Sequence, residues 1–533
     1  MADIFTYVAQ LKEERKPWEA DWEDLAKYIV PRHRQKAFLQ DTVEPVPRTA
    51  VYDSTPVQGA EILTAALNTY LTSQSNRWFS LRARDQILND LREVKVWLED
   101  TENRVYSWLA MSNAYSQIHE LYFDLVVFGV ACMSIEEDFH DIYRFTTIPI
   151  WQTYLAENAN GDVATVARIF KLTAVQAVEE FGELVGGDIL KLASEKPLTK
   201  VEILHFVTSL PIGNLRSTLP VTSVYAIESK KRVLRVQGYY EMPFMVPRWM
   251  VNTGEVYGRS PAMNALPDIK MLNRMSETTI KAAQKIVDPP IMVPDDSVIG
   301  PVRLTPGGAT MIRSEAMAKR VKPEPLVTTS QPQIGLDLIQ DRRSSIMKAF
   351  HADLFLSLLE ETKQMTATEV MQRVEERMAL LGPVLGRLQR QLLKPMVERL
   401  VSIAYRRGLL MPLPPALRDT EIDIVYVSPL ARAQRLYDAR AIARTIGEVG
   451  MYGDPSIMDN FDMDRVALEV ADLYGFPQRC LRPTAERERI RQERQAVQDE
   501  ILEAQRAESQ AKVAQRLKAY APGINAEMQR AGG

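Results

Sequence analysis

The sequence predicts an α+β protein, predominantly helical and divided into several packed units. Three observations carry this. Apolar residues recur at helical spacing through about the first 130 positions and again after Pro267. Strand-length runs rich in β-branched residues fill the block at about 131–250. A chain of 533 residues is also too long for one compact core. The composition, 46% apolar and 25% charged, is that of a globular chain and excludes wholesale disorder.

In the first block Trp18, Trp22, Leu25 and Ile29 fall three and four residues apart and form one apolar helix face. Pro31 stops that helix, and the basic Arg32-His33-Arg34 follows. Residues 60–71 read as a second helix and 94–111 as a third, with Trp97, Val105 and Trp108 as its larger apolar groups. In the second block Asn158-Ala159-Asn160-Gly161-Asp162 is a turn between strands at 152–157 and 163–171. Thr173 and Gln176 form a capping box, and Gly182 ends the short helix that it starts. Further strands are expected at 201–207, 221–227 and 233–239.

Beyond Pro267 one helical stripe runs through Ile269, Leu272, Met275, Thr279, Ala283 and Ile286, and Pro289-Pro290 ends it. Residues 288–332 are rich in Pro and Gly. They are far longer than the roughly two to eight residues that usually join two helices, and read as a compact ordered insertion. A second helix, 334–355, carries Asp341-Arg342-Arg343 and Lys348, and the polar Glu360-Glu361-Thr362-Lys363-Gln364-Met365 follows it. A periodic segment then reaches about Leu410, with Pro383 and Pro395 as kinks. Residues 421–427 read as a strand and 430–474 as helical. Residues 485–520, rich in Glu, Arg, Gln and Ala, suit a solvated helix that neighbouring copies must hold.

A net charge of -4 argues against a protein that coats nucleic acid through many phosphate contacts. It allows DNA to pass nearby, because a weakly acidic wall repels a phosphate backbone. Only Cys132 and Cys480 are present, which excludes a disulfide framework; Cys132 lies in an apolar run and reads as a buried, inert thiol. Residues 1–16 carry no signal-peptide apolar region, and no run approaches the ~20 apolar residues of a membrane span. The expectation is a soluble chain made in a reducing cytosol.

Chemistry-bearing motifs are missing. There is no phosphate loop of the Gly-x-x-x-x-Gly-Lys-Ser/Thr form. Gly258-Arg259-Ser260-Pro261-Ala262 lacks the closing glycine of a nucleophile elbow and reads as a structural turn. His33, His119, His140, His205 and His351 lie far apart, and Phe123 stands where a helical zinc motif beginning at His119-Glu120 needs its second histidine. Asp295-Asp296 and Glu136-Glu137-Asp138 read as solvated acids sooner than as a cation site. No cofactor and no metal is implied, and an enzyme such as a nuclease or cell-wall hydrolase has no support.

At Tyr257-Gly258-Arg259-Ser260-Pro261-Ala262, followed by Ala265-Leu266-Pro267-Asp268-Ile269-Lys270, the sequence resembles the head-to-tail connector, or portal, family of short-tailed double-stranded DNA bacteriophages. Other landmarks agree in order: Trp22, Leu25, Tyr28, Pro31 and Arg32; Leu71-Thr72-Ser73 before Trp78-Phe79-Ser80-Leu81; Phe128-Gly129; Phe181-Gly182. Thr366-Ala367-Thr368-Glu369-Val370, Leu381-Gly382-Pro383 and Ser428-Pro429-Leu430-Ala431-Arg432 complete the set. The resemblance covers about 15–475, and the tail beyond 480 matches no motif.

The resemblance implies the portal fold and a homo-oligomeric ring of about twelve subunits around a DNA channel. It implies a wing at 1–263, stem helices at 264–287 and 333–356 around a clip at 288–332, and a tunnel loop at 357–366. A kinked wing helix and strand would span 367–428, a crown 429–482, and a helical barrel or tail 483–533. The implied place is the virion, at the portal vertex between capsid and tail, after assembly in the bacterial cytoplasm. The implied partners are the terminase packaging motor, a tail adaptor or tail tube protein, capsid and scaffolding proteins, and DNA passing without sequence specificity; no membrane is involved. DNA must slide both ways, so a mostly acidic wall with a few basic rings is expected. Lys363, Arg342, Arg343 and Lys348 are the candidates for those rings, although Arg342 and Arg343 could equally pair with neighbouring carboxylates. Asp295, Asp296 and Arg313 are docking candidates on the clip, whose other reading is contact between subunits. The competing functional class is an internal virion or ejection protein, which a closed ring would exclude.

Overall fold

A computed structural model describes residues 4–30, 51–211, 217–287, 291–292, 311, 324–325, 332–353, 355–356, 381–418, 420–427, 429–451, 460–474, 476, 480–482 and 484–530. The chain divides into two units. The first takes residues 1–80, 101–411 and 424–434, and the second 81–100, 412–423 and 435–533.

The first unit is organised on a five-stranded antiparallel sheet. Its strands β4 (Thr153–Glu157), β5 (Val163–Thr173), β6 (Lys200–Thr208), β7 (Val221–Ile227) and β8 (Arg232–Tyr239) lie side by side in chain order. Successive side chains of a strand point to opposite faces, so each face has its own cover. On one face Ala167, Leu204, Phe206 and Val224 pack against Ile4, Val8 and Leu11 of α1 (Ile4–Tyr28). On the other, Ile203, Ile227 and Leu234 pack against Ala177, Phe181 and Ile189 of α5 (Ala174–Phe181) and α6 (Gly187–Glu195). The expected capping box is present at the start of α5, with Gly182 at its end, and Asn158 and Gly161 form the expected turn before β5.

A smaller three-stranded sheet sets β2 (Cys132–Asp138) between β3 (Ile142–Ile148) and β9 (Phe244–Met245). Beside it run α2 (Thr55–Leu71), the C-terminal part of α3 (Arg92–Met111) and α4 (Ala114–Phe128). The expectation that the first 130 residues are all helical needs one correction. Phe79–Ala83 is a strand, β1, paired with β12 (Ile422–Tyr426). The Tyr106 hydroxyl accepts from the amides of Trp78 (2.9 Å) and Phe79 (2.7 Å), which holds the chain extended where β1 begins.

Two long helices follow, α7 (Pro261–Val287) and α8 (Pro332–Ala349). α7 begins before Pro267, earlier than the stripe suggested, because Ser260 caps it and Pro261 occupies its first turn. α8 ends before residue 355: His351 turns into the left-handed region at φ 54°. The described part of the insertion at 288–332 includes a short antiparallel ladder of β10 (Ile291–Met292) with β11 (Glu324–Pro325).

The periodic segment after 381 is α9 (Gly382–Leu388), a π turn (Gln389–Leu393) and α10 (Lys394–Arg406). The turn widens immediately before Pro395, whose ring cannot share space with the carbonyl four residues back and which has no N–H to donate. In the second unit the chain forms most of α11 (Pro429–Gly450), then α12 (Met463–Leu473) and α13 (Thr484–Arg530), a helix of 47 residues. Asp464 of α12 holds Arg491 of α13 through two hydrogen bonds, at 2.6 and 2.8 Å. Among the described residues, no helix is long and apolar enough to cross a membrane.

Candidate functional site

The segment Tyr257–Ala262 launches α7, and its geometry explains why these residue types are needed. Gly129, at φ 79°, and Gly258 press backbone to backbone. A Cβ on either would overlap the carbonyl oxygen of the other. Ser260 is fully buried; its hydroxyl donates to the Val127 carbonyl (2.7 Å) and accepts from the Met263 amide (2.9 Å), tying the end of α4 to the start of α7. Tyr257 packs edge-on against Trp22, and its hydroxyl accepts from the Leu155 amide at 3.2 Å. The Trp22 indole donates to the Phe128 carbonyl at 3.1 Å, and Arg259 lies 5.0 Å over Trp18 while pairing with Glu255. Ser260 is therefore a cap at the crossing of three helices, in keeping with a structural turn.

From this anchor α7 and α8 run antiparallel, since Arg342 pairs with Asp268 (2.9 Å) while Gly335 lies near Thr279. Arg342 also pairs with Asp341 (2.6 Å). Arg343 reaches the almost fully buried Asp53 through Nε (3.0 Å) and Nη2 (2.9 Å). The other Asp53 oxygen accepts from the amide (2.9 Å) and hydroxyl (2.6 Å) of Thr55. Burial alone would raise the Asp53 carboxyl, but the Thr55 and Arg343 bonds outweigh it and hold it below its ordinary value. Both arginines thus make the carboxylate pairs weighed at the outset. Lys348 is exposed and has no ion pair among the described residues. Lys363, Asp295, Asp296 and Arg313 lie outside the described residues.

The apolar stripe of α7 changes character along its length. Ile269 and Leu272 are buried and Met275 is half-buried, whereas Ala283, Ile286 and Val287 are exposed. Leu336 and Leu338, near the N-terminal end of α8, are exposed as well. In the half of the pair nearest β10 and β11, these apolar side chains are therefore not covered by the described residues.

The sequence reading missed three buried arginines of the first unit. Arg15 donates to the carbonyls of Trp151 and Thr153, both at 2.9 Å, and stacks 3.8 Å over Tyr154. Arg248 bonds Glu157 and the Val256 and Gly161 carbonyls. Arg399 donates to the Ile135 carbonyl at 2.8 Å. Each satisfies backbone acceptors that the folds around it would otherwise strand. Arg15 and Arg399 had a legible signal, a cation set inside an apolar helix stripe (Val8, Leu11, Trp22; Met396, Leu400, Ile403). No group of His, Cys, Asp or Glu that could hold a metal occurs among the described residues, Glu136-Glu137-Asp138 included. Cys132 is buried, and burial pushes its thiol up to about 12.

Among the described residues, Ser260, Arg342, Arg343 and Asp53 are held in bonds within the fold. The profile of the bacteriophage head to tail connecting protein family matches residues 2–481, and the chain belongs to that family. It is 32% identical over 506 residues to the portal protein of Salmonella phage epsilon15, covering 92% of this chain and 90% of the relative. It is 29% identical over 520 residues to the probable portal protein of Bordetella phage BPP-1, covering 95% and 93%.

Proposed function

We propose that this chain is the portal subunit of its phage, one repeat of a closed ring at a single capsid vertex through which double-stranded DNA enters and leaves the head. The observation that carries the ring is the set of exposed apolar side chains on α7 and α8, Ile280, Ile286, Val287, Leu336 and Leu338. Side-by-side copies would bury these side chains while polar faces line the lumen. In this reading α7 and α8 are the stem, residues 288–332 the clip, 357–366 the tunnel loop, 429–482 the crown and 483–533 the barrel or tail. The docking partners are the packaging motor and then the tail, with capsid and scaffolding proteins around the ring.

Of the four candidate ring cations, Arg342 and Arg343 are already ion-paired with Asp268, Asp341 and Asp53, which leaves Lys348 and Lys363 as the candidates for basic rings. The subunit has a structural role, and no step of the reading needs a catalytic residue.

Light scattering on purified protein tests the reading. The expected mass is about twelve times the 60.5 kDa of one chain. The double variant Ile286→Glu and Leu336→Glu should move the population toward monomer, since charge on the uncovered surface opposes its burial. A wild-type chain that stays monomeric at micromolar concentration would refute the ring.

A further inference from the structure

The outer sides of α7 and α8 carry opposite charge. Arg342 meets Asp268, and Gly335 lies beside Thr279, so these four residues mark the sides on which the two helices face each other. At about 100° per residue, Lys270, Arg274, Glu277, Lys281 and Lys285 all lie at least about 100° round α7 from Asp268 and Thr279. Spaced three or four residues apart, they form one stripe turned away from α8. By the same measure Asp337 and Asp341 lie on the side of α8 turned away from α7. Arg274 and Asp337 are both exposed, and neither has an ion pair among the described residues.

Charged neighbours do not cancel this contrast. Lys270 pairs with Asp24 of α1 and Lys281 with Glu277 (2.6 Å), which leaves Arg274 and Lys285 in excess on the α7 stripe. Glu277 takes its bond from Lys281 and feels Arg274 only through space. On α8, Arg342 is shared between Asp268 (2.9 Å) and Asp341 (2.6 Å), so that trio keeps one negative charge and Asp337 adds another. Arg343 is turned to Asp53, and Lys348 shares the acidic side but stands eleven residues, ~16 Å, from Asp337. The levels match as well. The two facing contacts put Asp337 level with residues 273–277 of α7, the stretch that contains Arg274. A rotation about a ring axis preserves height along that axis. With the helix pair set along it, the outer side of α8 meets the outer side of α7 on the next copy, acid beside base at one level. Within one copy the two residues sit on opposite outer sides of the pair and do not bond.

We propose that Arg274 of each copy pairs with Asp337 of the next, and that this pair fixes which sides of α7 and α8 meet in the ring. The proposal rests on the ring reading, so its test is made on assembled rings whose mass is measured first. Cys132 is buried, so in a Cys480→Ser background rings of Arg274→Cys/Asp337→Cys are treated with a short bifunctional maleimide. The expected result is a ladder of covalent multimers on denaturing gels, absent from either single variant. Rings of normal mass without a ladder would overturn the pairing while leaving the ring intact, whereas a wild-type chain that forms no ring overturns the ring reading and the pairing with it. Should the double cysteine variant not assemble, charge reversal decides. Arg274→Glu should raise the concentration for half-assembly at least about tenfold, and adding Asp337→Arg should restore it. No effect of R274E, or no rescue by D337R, overturns the proposal. Normal R274E rings that package or retain DNA differently would place the stripe against DNA and overturn it too.

Discussion

Gly258 has no room for a methyl group, because the carbonyl oxygen of Gly129 occupies the position a Cβ would take. Gly258→Ala must force two backbones apart at the point where α7 starts, and should cost about 3 kcal/mol. Gly447→Ala, in α11 with open space around it, should instead be neutral or stabilise by about 0.5–1 kcal/mol. Thermal denaturation of the two variants beside wild type checks both signs. Asp53 is a second residue whose chemistry is fixed by its neighbours. Its carboxyl is held below the ordinary 3.8, so its ion pair with Arg343 stabilises the fold above that pH and the contribution is lost as pH falls through the lower folded value. Asp53→Asn should therefore cost about 1.5–3 kcal/mol at pH 7, and the gap to wild type should close below about pH 3.8. A gap that stayed constant from pH 7 to pH 3 would mean the charge is irrelevant. The importance of Gly258 and Ser260 was legible as a motif; their task was not, because it depends on the end of α4, more than a hundred residues away.

At the scale of elements, most helices and strands could be read from period and punctuation. The capping box at Thr173, the hairpin turn at Asn158–Asp162 and the strands β6, β7 and β8 rest on local chemistry, and all occur. β1 was hidden because Phe79–Ala83 is short and gains its order from Tyr106 and β12, which are distant in sequence. The start of α7 was misplaced because a proline inside a helix reads locally as a boundary, whereas the Ser260 cap and the packing of Ala262 and Ala265 carry the helix past it. The insertion at 288–332 presents a choice between docking and ring closure. The substitutions Asp295→Lys, Asp296→Lys and Arg313→Glu are expected to leave ring mass unchanged by light scattering while abolishing motor-dependent packaging or tail attachment. Rings that fail to form would assign the insertion to subunit contacts, and rings that support both steps would remove it from docking.

At the scale of the whole molecule, the chain combines a well-covered sheet unit with elements that leave their apolar groups in water. Beside the exposed apolar residues of α7 and α8, α13 exposes Val497, Ile501, Leu502 and Val513 along a helix that carries i,i+4 pairs such as Glu508–Lys512 and bonds Asp464 through Arg491. In the proposed ring other copies would complete such elements, and a net charge of -4 over 533 residues would suit a wall along which DNA slides without being held.

Helix and strand periods, turns and caps, the missing catalytic motifs and the family are legible in the order of residues alone. Each of these is set by neighbours a few positions apart or by an ordered series of short motifs. It took the folded chain to show that Arg342 and Arg343 are ion-paired, that Arg15, Arg248 and Arg399 are buried against backbone carbonyls, and that Phe139 stands exposed on the turn between β2 and β3. The physical reason is that charge pairing, desolvation and backbone strain depend on which groups the fold brings within a few ångströms, and those partners lie tens to hundreds of residues apart in the chain.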